Sequence, residues 1–505
     1  MHRGARGSHA SASRPELSLL ALIVLAALAL RLAGLWSIPL DFDEIATNYF
    51  AHLSVHGLAA QSALREPNPP SFYLLEHALL RAGLSGRDLR LPTILAGTAS
   101  VPLAWAIARR LDGRVAGLFA AILVATSPTS LAMAIEARVY ALVAAFTLAA
   151  ILLLLLQADA ARETGGAGSK ELWLGIVLAS AALLWLHDAD FVIVLSLNLL
   201  AFILWAFQIR NRRFAAAWLL SQCLAALAWS PWVPVVLRQA RDRTIANFST
   251  APTLANLKTD VMRTLGQKRL AFAQPWFDRV VLLFAPLGAF LARWRAAALA
   301  LLATALAIGP AIAYAASLWK PILNGKTELW ILAPFLILVA IAFARLGRPG
   351  RLAFAVLLAA HLAGLWRMAT AAPNNDGPAL VAAMRREVCR NDPVYFDPVG
   401  MQAVAAYAGW RMPTSLTLGD GALDWYRAFP GRTLAEWRAS PAGRSAKLLW
   451  VVQLGNPGNL RRTEARLGPA WHRAHLWREG YYALALEERG APGPLACPVG
   501  SPARR

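Results

Sequence analysis

Charge is scarce in this 505-residue chain: 16% of its residues are Asp, Glu, Lys or Arg, against 57% hydrophobic ones. A soluble domain carries about 25% charged residues, so together with a mean hydropathy of +0.46 the deficit excludes a soluble globular protein. An integral membrane protein is left. Acids are scarcer still, 29 against 50 bases, for a formal charge of +21. The bases form no stripe with interleaved aromatics. They punctuate apolar runs, which argues for membrane topology and against nucleic acid. No internal repeat is present and the charges sit at the ends of the runs, which argues against a secondary transporter with paired halves. "GNPGN" lacks the glycine spacing of a dinucleotide fingerprint, so no cofactor is assigned. Cysteines number three. Cys223 falls inside an apolar run and reads as a small buried apolar residue. Cys389 and Cys497 fall near the carboxy end, where an oxidising compartment would permit a disulfide, and sequence leaves that pairing open.

What is present is a series of apolar runs, each near the ~20 residues that cross ~30 Å of hydrocarbon. About eleven transmembrane helices are expected: Leu17–Trp36, Leu91–Arg109, Val115–Ile135, Val139–Gln157, Leu172–Leu186, Phe191–Phe207, Phe214–Trp232, Trp276–Ala292, Ala296–Leu318, Leu329–Ala344 and Leu352–Met368. Basic clusters occur at Arg3, Arg6 and Arg14, at Arg109, Arg110 and Arg114, and at Arg210, Arg212 and Arg213. Two more follow at Arg293 and Arg295, and at Arg345, Arg348 and Arg351. If all runs span, every cluster falls on one side, which places the amino terminus (1–16) in the cytoplasm. The first run has no clear small-residue cleavage site and reads as a retained span rather than a signal peptide.

This topology gives a transmembrane region 17–370 with outer loops at 37–90 and 234–275, and an outer domain 371–505. In the last, "DPVYFDP" and "AKLLWVVQL" read as strands, "GPALVAAMRREV" and "NLRRTEARLG" as helices, so a soluble α/β domain is expected. Tryptophans near run ends, Trp36, Trp232, Trp276, Trp319 and Trp330, read as interface anchors.

The first outer loop opens on "SIPLDFDEIATNYFAHL". Its three acids admit two readings. Asp41 with Glu44 three residues on fits a capping box, with Asp43 favoured in the first turn. Alternatively, desolvation at a membrane exit can raise a carboxylate's pKa toward that of a useful general base. Ile45, Tyr49, Phe50 and Leu53 share one side of the following helix, and Glu44, Asn48 and His52 recur on another. Pro69 and Pro70 then stop one helix and start the next. "WLHDADF", with His187, Asp188 and Asp190, could hold a divalent ion but reads better as a solvated loop.

Asp43–Glu44, "NPPSFYLL", "LRLPTILAG", "RRLDGRVAGLFAAILVATSP" and "EARVYAL" follow one another in an order that resembles membrane glycosyltransferases of the GT-C fold. The narrower likeness is to the family 39 or protein-mannosyltransferase-like group, which includes the aminoarabinose transferases of lipid A. It is strong over about Leu35–Leu156 and looser through "PILNGKTELWILAPFLILVAIAF". The resemblance implies a GT-C-like polytopic helical protein of the bacterial-type cytoplasmic membrane. It implies inverting transfer of a sugar from a polyprenyl-phosphate donor to a lipid, glycan or protein acceptor at the outer face. Asp43 matches the catalytic position, with Glu44 beside it. Arg138, Lys326 and Arg65 are the candidates for the donor phosphate, and Asp41, Asn68, Tyr140, His187 and Asp188 for lining the substrate. No metal ligands are assigned, and a divalent cation is left open. Two departures bear on specificity. "GKTELW" has a lysine where the family often has an Arg-Tyr pair, keeping charge but losing the fork. Asn68 lies near where the aminoarabinose transferases often have a lysine. A transporter or a non-catalytic scaffold is the alternative reading.

Overall fold

The computed structural model describes residues 12–66, 68–241, 253–265, 275–319, 322, 326–370, 376–389, 391–397, 401–410, 417–419, 433–454, 457–479 and 482–490. They fall into two compact units. The first comprises Met1–Leu35, Pro67–Phe72 and Arg90–Thr370; the second comprises Trp36–Glu66, Tyr73–Leu89 and Ala371–Arg505. Most of the loop 37–90 therefore belongs with the carboxy-terminal segment.

The first half of the chain forms α1 (Arg14–Ser37), α2 (Phe42–Ala51), α3 (Val55–Arg65), α4 (Ser71–Arg81), α5 (Leu91–Asp112), α6 (Arg114–Thr126), α7 (Pro128–Ala134), α8 (Tyr140–Thr164) and α9 (Lys170–Leu186). Then come α10 (Phe191–Leu204), α11 (Arg212–Trp229), α12 (Val233–Arg241), α13 (Leu254–Leu265), α14 (Pro275–Leu291), α15 (Arg295–Leu301), α16 (Gly309–Trp319), α17 (Leu332–Arg345) and α18 (Gly347–Thr370).

Each of the eleven apolar runs is helical. Among the described residues, seven stretches are long and apolar enough to cross a membrane: Arg14–Leu35, Gly86–Asp112, Tyr140–Thr164, Asp188–Ile209, Arg212–Arg241, Arg295–Trp319 and Gly347–Thr370. The pair α6 and α7 makes an eighth if it is one broken span, bent by 59°. The bend has a local cause: Ser127 caps a new helix whose first residue is Pro128, which cannot continue the old hydrogen-bond ladder. The runs at α9, α14 and α17 are shorter helices of 17, 17 and 14 residues. Leucines such as Leu22, Leu25, Leu219 and Leu220 are left exposed, which only a lipid solvent tolerates at this density. The protein is a polytopic α-helical membrane protein. Cys223, expected to be buried, is exposed. It lies one turn from Leu219 and Leu227 on the same outward face, where a small apolar thiol costs nothing in hydrocarbon.

Carboxylates gather the basic clusters at one end of the first unit. Asp112 accepts from Arg345 Nε at 2.7 Å and from the Arg293 backbone N–H at 3.0 Å. Arg109 pairs with Glu16 at 3.0 Å and Arg110 with Asp159 at 2.6 Å. One charge breaks the rule that charges sit at run ends. Arg31 lies within α1 and is wholly buried.

Close helix crossing is set by a glycine. A Cβ built on Gly288 would fall 1.9 Å from the Leu338 carbonyl oxygen, so α14 touches the backbone of α17 there. Backbone cannot rotate away as a side chain can. Gly288→Ala is expected to cost about 1–3 kcal/mol from overpacking, seen as a lowered thermal midpoint and less monodisperse protein; an unchanged midpoint would show that the two helices are not in contact at this point.

In the second unit the described strands are β1 (Val394–Asp397), β2 (Thr417–Gly419), β3 (Leu448–Leu454), β4 (Trp471–Glu479) and β5 (Tyr482–Arg489), in the order β2-β1-β3-β5-β4. β1 is parallel to β2 and β3, and β5 is antiparallel to β3 and β4. The expected strands are β1 and β3; the run in β3 is nearly all apolar because Leu449–Gln453 are buried on both faces, Gln453 being the one buried polar residue. The expected helices lie at Gly377–Glu387 and Pro457–Leu467. The core joins Tyr395, Val451 and Ala485 of the sheet to Leu434, Trp437 and Leu460 of flanking helices. Cys389 is buried here, whereas Cys497 lies outside the described residues.

Candidate active site

The acidic turn belongs to the second unit. Asp41 Oδ1 accepts the Glu44 backbone N–H at 2.9 Å, and Glu44 Oε2 accepts the Asp41 N–H at 3.0 Å. This is a complete capping box at the start of α2, and it uses two of the three acids. Glu44, taken from sequence as a partner in catalysis, is 3% exposed and committed to the cap. Asp43 takes no part in the box and is only half-buried. The capping reading of "DFDE" thus holds for Asp41 and Glu44.

α4 packs on α2 through a stacked pair, Phe50 and Tyr73, with ring centroids 4.9 Å apart. His77 Nδ1 lies 2.9 Å from the Ala51 carbonyl oxygen. This packing buries Glu76 completely, and neither carboxylate oxygen has a partner among the described residues. Burial, and then the nearby Glu44 charge, push its pKa up to about 8. Tyr482, the first residue of β5, is also fully buried, and its hydroxyl has no partner among the described residues. Burial raises its pKa most, and the charges of Asp41, Asp43, Glu44 and Asp376 add to the effect, so the sheet delivers a phenol to the acidic turn.

Sequence gave no hint of Tyr482, which reaches α2 from more than 400 positions away. Glu76 did leave a trace: it is the one acid in the apolar stretch "FYLLEHALL".

The first unit holds a second polar group. Lys326 Nζ pairs with Glu136 Oε1 at 2.5 Å and lies 5.6 Å from the Tyr140 ring centroid. The acid of "EARVY" thus meets the lysine of "GKTELW", from opposite ends of the spans' sequence. A small cleft beside them is lined by Tyr140, His187, Asp190, Lys326, Thr327 and Trp330. "WLHDADF" is therefore not a solvated loop: Asp190 is 4% exposed, and its Oδ2 has no partner among the described residues. His187 Nδ1 accepts the Ala189 backbone N–H at 3.0 Å, which puts the ring proton of neutral His187 on Nε2. Asp188 accepts from Trp232 Nε1 at 3.1 Å. Trp232 and Trp330, expected as lipid-interface anchors, are instead buried beside this cluster, where they pack against polar groups; Trp319 alone of the described ones is strongly exposed. Next to the lysine, Glu328 is buried, and burial together with the Asp260 charge raises its pKa to about 7.

Of the remaining sequence candidates, Arg138 is half-buried and Asn68 is buried at 3% exposure. The Arg65 side chain lies outside the described ones. In chemical terms the first unit offers an ammonium on an aromatic face, held by a carboxylate that an anionic ligand could replace. The second offers a carboxylate spared from capping.

Comparison with known proteins bears on both. Residues 66–235 match the family described as dolichyl-phosphate-mannose-protein mannosyltransferase. The fold is similar to that of ArnT from Cupriavidus metallidurans in the apo state, with a TM-score of 0.58 and 14% identity over 93% of this chain and 98% of that one. ArnT bound to undecaprenyl phosphate gives 0.57 and 13% at the same coverage. The Archaeoglobus fulgidus oligosaccharyltransferase complexed with Zn and sulfate gives 0.53 and 15%, over 86% of this chain and 67% of that one. No curated protein matches the sequence. The chain has the GT-C fold of membrane glycosyltransferases.

Proposed function

We propose that this protein is an inverting glycosyltransferase that moves a sugar from a polyprenyl-phosphate donor to a lipid, glycan or protein acceptor. It works at the outer face of a bacterial cytoplasmic membrane, with the amino terminus inside and the second unit outside. Asp43 accepts the proton of the acceptor hydroxyl as that oxygen attacks the anomeric carbon. The bond from that carbon to the phosphate oxygen breaks, and polyprenyl phosphate leaves with the electron pair. Arg138 and Lys326 take up the phosphate charge, Lys326 by exchanging its bond to Glu136 for one to the phosphate. The cleft around Tyr140, His187 and Asp190 receives sugar hydroxyls, for which Asp190 is an acceptor. In the outer compartment a Cys389–Cys497 disulfide would be stable.

The observation that carries this reading is the division of the acidic turn: the cap consumes Asp41 and Glu44 and spares Asp43. The GT-C fold supports it, as does the carrier lipid bound by ArnT, undecaprenyl phosphate. Purified protein in nanodiscs, given labelled polyprenyl-phosphate sugars, should release polyprenyl phosphate in step with transfer and invert the anomeric centre. Absence of turnover with every such donor would overturn the reading. Lys326→Met should raise the donor KM about tenfold with a smaller change in kcat, since it removes binding common to ground and transition states. An unchanged KM would remove Lys326 from the phosphate site.

A further inference from the structure

Three bases at the span ends are neutralised: Arg345 by Asp112, Arg109 by Glu16 and Arg110 by Asp159. Arg162, Arg210, Arg212 and Arg213 are not, since none of them makes an ion pair among the described residues. All four line one open cleft of about 690 Å³ in the first unit, where the stretches Tyr140–Thr164 and Asp188–Ile209 end and Arg212–Arg241 begins. That volume lies within the ~300–1,000 Å³ usual for ligand sites. The rule that bases mark one side of a membrane accounts for their presence but not for their placement. Arg212 and Arg213 stand in the first turn of α11, which holds no acid, so two positive charges meet the positive end of the helix. Arg210 is the one non-glycine residue with a positive φ among the described ones, at 51°, a conformation that glycine adopts without steric cost. One turn of π-helix, Trp205–Ile209, precedes it, and such turns recur at functional sites. An anion in the cleft offsets the repulsion that this placement creates.

Polar side chains of the lining hold the cleft in shape. Asn211 Nδ2 donates to the carbonyls of Gly165 and Gly166 at 2.8 and 2.7 Å, and its Oδ1 accepts the Arg213 N–H at 2.8 Å, which ties the end of α8 to the start of α11. Gln208 Oε1 accepts from Trp294 Nε1 at 2.6 Å, and the Arg162 guanidinium lies over the same tryptophan, 5.5 Å from the ring centroid. Gln208 Nε2 is buried with no partner among the described residues, one more donor in the lining. Phe202 and Phe207, in the segment that leads to the cleft, are 54% and 72% exposed. Guanidiniums at the ends of spans, with exposed phenyl rings alongside, fit a phosphate head whose acyl chains lie along the helices. Free phosphate would use the same guanidiniums and gain nothing from the rings. We infer that this cleft binds the phosphate headgroup of an anionic phospholipid through Arg162, Arg210, Arg212 and Arg213. Such a site serves no step of sugar transfer, and its occupancy does not depend on that activity.

Delipidated full-length protein in detergent is titrated with cardiolipin, phosphatidylglycerol, zwitterionic phosphatidylethanolamine and inorganic phosphate, and binding is read by native mass spectrometry. Wild type should bind the two anionic lipids about tenfold or more tightly than phosphatidylethanolamine, the scale set by several arginines near one phosphate. The triple variant Arg210→Gln, Arg212→Gln, Arg213→Gln should lose that preference. The triple variant Arg295→Gln, Arg348→Gln, Arg351→Gln, which removes three bases that do not line the cleft, should keep it. Equal loss in both would reduce the effect to surface charge and overturn the inference, as would an unchanged preference in the first. Competition by inorganic phosphate at the lipid's own concentration would overturn the assignment to a lipid. If the first triple variant does not insert, Arg210→Gly takes its place. Removing the side chain from a positive-φ position should keep or raise the lipid-free thermal midpoint, while lowering the preference about threefold; an unchanged preference there overturns the inference.

Discussion

Asp43→Asn is expected to lower the rate of sugar transfer by about 10²–10⁴-fold, the usual contribution of a positioned general base, while leaving donor binding close to that of wild type. The amide has the shape of the carboxylate and cannot take a proton. Because the cap is made by Asp41 and Glu44, the substitution leaves the α2 start intact and the protein folded. Glu44→Gln is the matching control. It keeps an oxygen for the Asp41 N–H, so it should cost no more than about 1 kcal/mol of stability and little activity. Rates and thermal midpoints of the two variants separate the roles. Full turnover by Asp43→Asn, or an equal loss in Glu44→Gln at unchanged stability, would reassign the base.

Glu76→Gln is expected to stabilise the protein at pH 8 and to leave it nearly unchanged at pH 5. Glu76 is buried with no partner for either oxygen among the described residues, and it holds its proton up to about pH 8 instead of the ordinary 4.5. Between those values the folded state binds a proton that the unfolded chain has released, so stability falls as pH rises through the window. Below it both states are protonated and there is no contribution; above it the whole penalty is present. At 1.36 kcal/mol per pKa unit the penalty at pH 8 is on the order of a few kcal/mol. Glutamine does not titrate and should flatten the curve. Thermal midpoints of both proteins from pH 5 to pH 8 decide it, and parallel curves would mean that Glu76 ionises as an ordinary acid. Ionised Glu76 would also repel Glu44, the residue that holds the cap next to Asp43. Activity should therefore fall with the same pH dependence in wild type and not in the variant.

The helices and the cap could be read in advance because their causes are local. Apolar runs of near-spanning length and the Asp41-x-x-Glu44 spacing act within a few residues, where chain connectivity alone brings the groups together; the Ser127–Pro128 break, inside the run read as one span, was not foreseen. The motif order reached further and implied the GT-C fold, which the structural likenesses bear out. Even so, among the described residues seven or eight stretches rather than eleven are long enough to span unaided, because length in residues says nothing about where a helix bends or stops.

The sites divide along the same line. Sequence by itself determined that acids would stand at the end of the first span, that bases would punctuate the runs, and that a small α/β unit would close the chain. Tertiary structure decided which acid the cap spares and that Lys326 closes on Glu136. It decided that Trp330 turns inward, that Tyr482 feels the charges of the acidic turn, and that Glu76 and Arg31 are buried with acceptors or a donor unspent among the described residues. These depend on pairs of residues tens to hundreds of positions apart. Their proximity is set by helix crossing and sheet order, and nothing in the neighbouring residues of either partner encodes it.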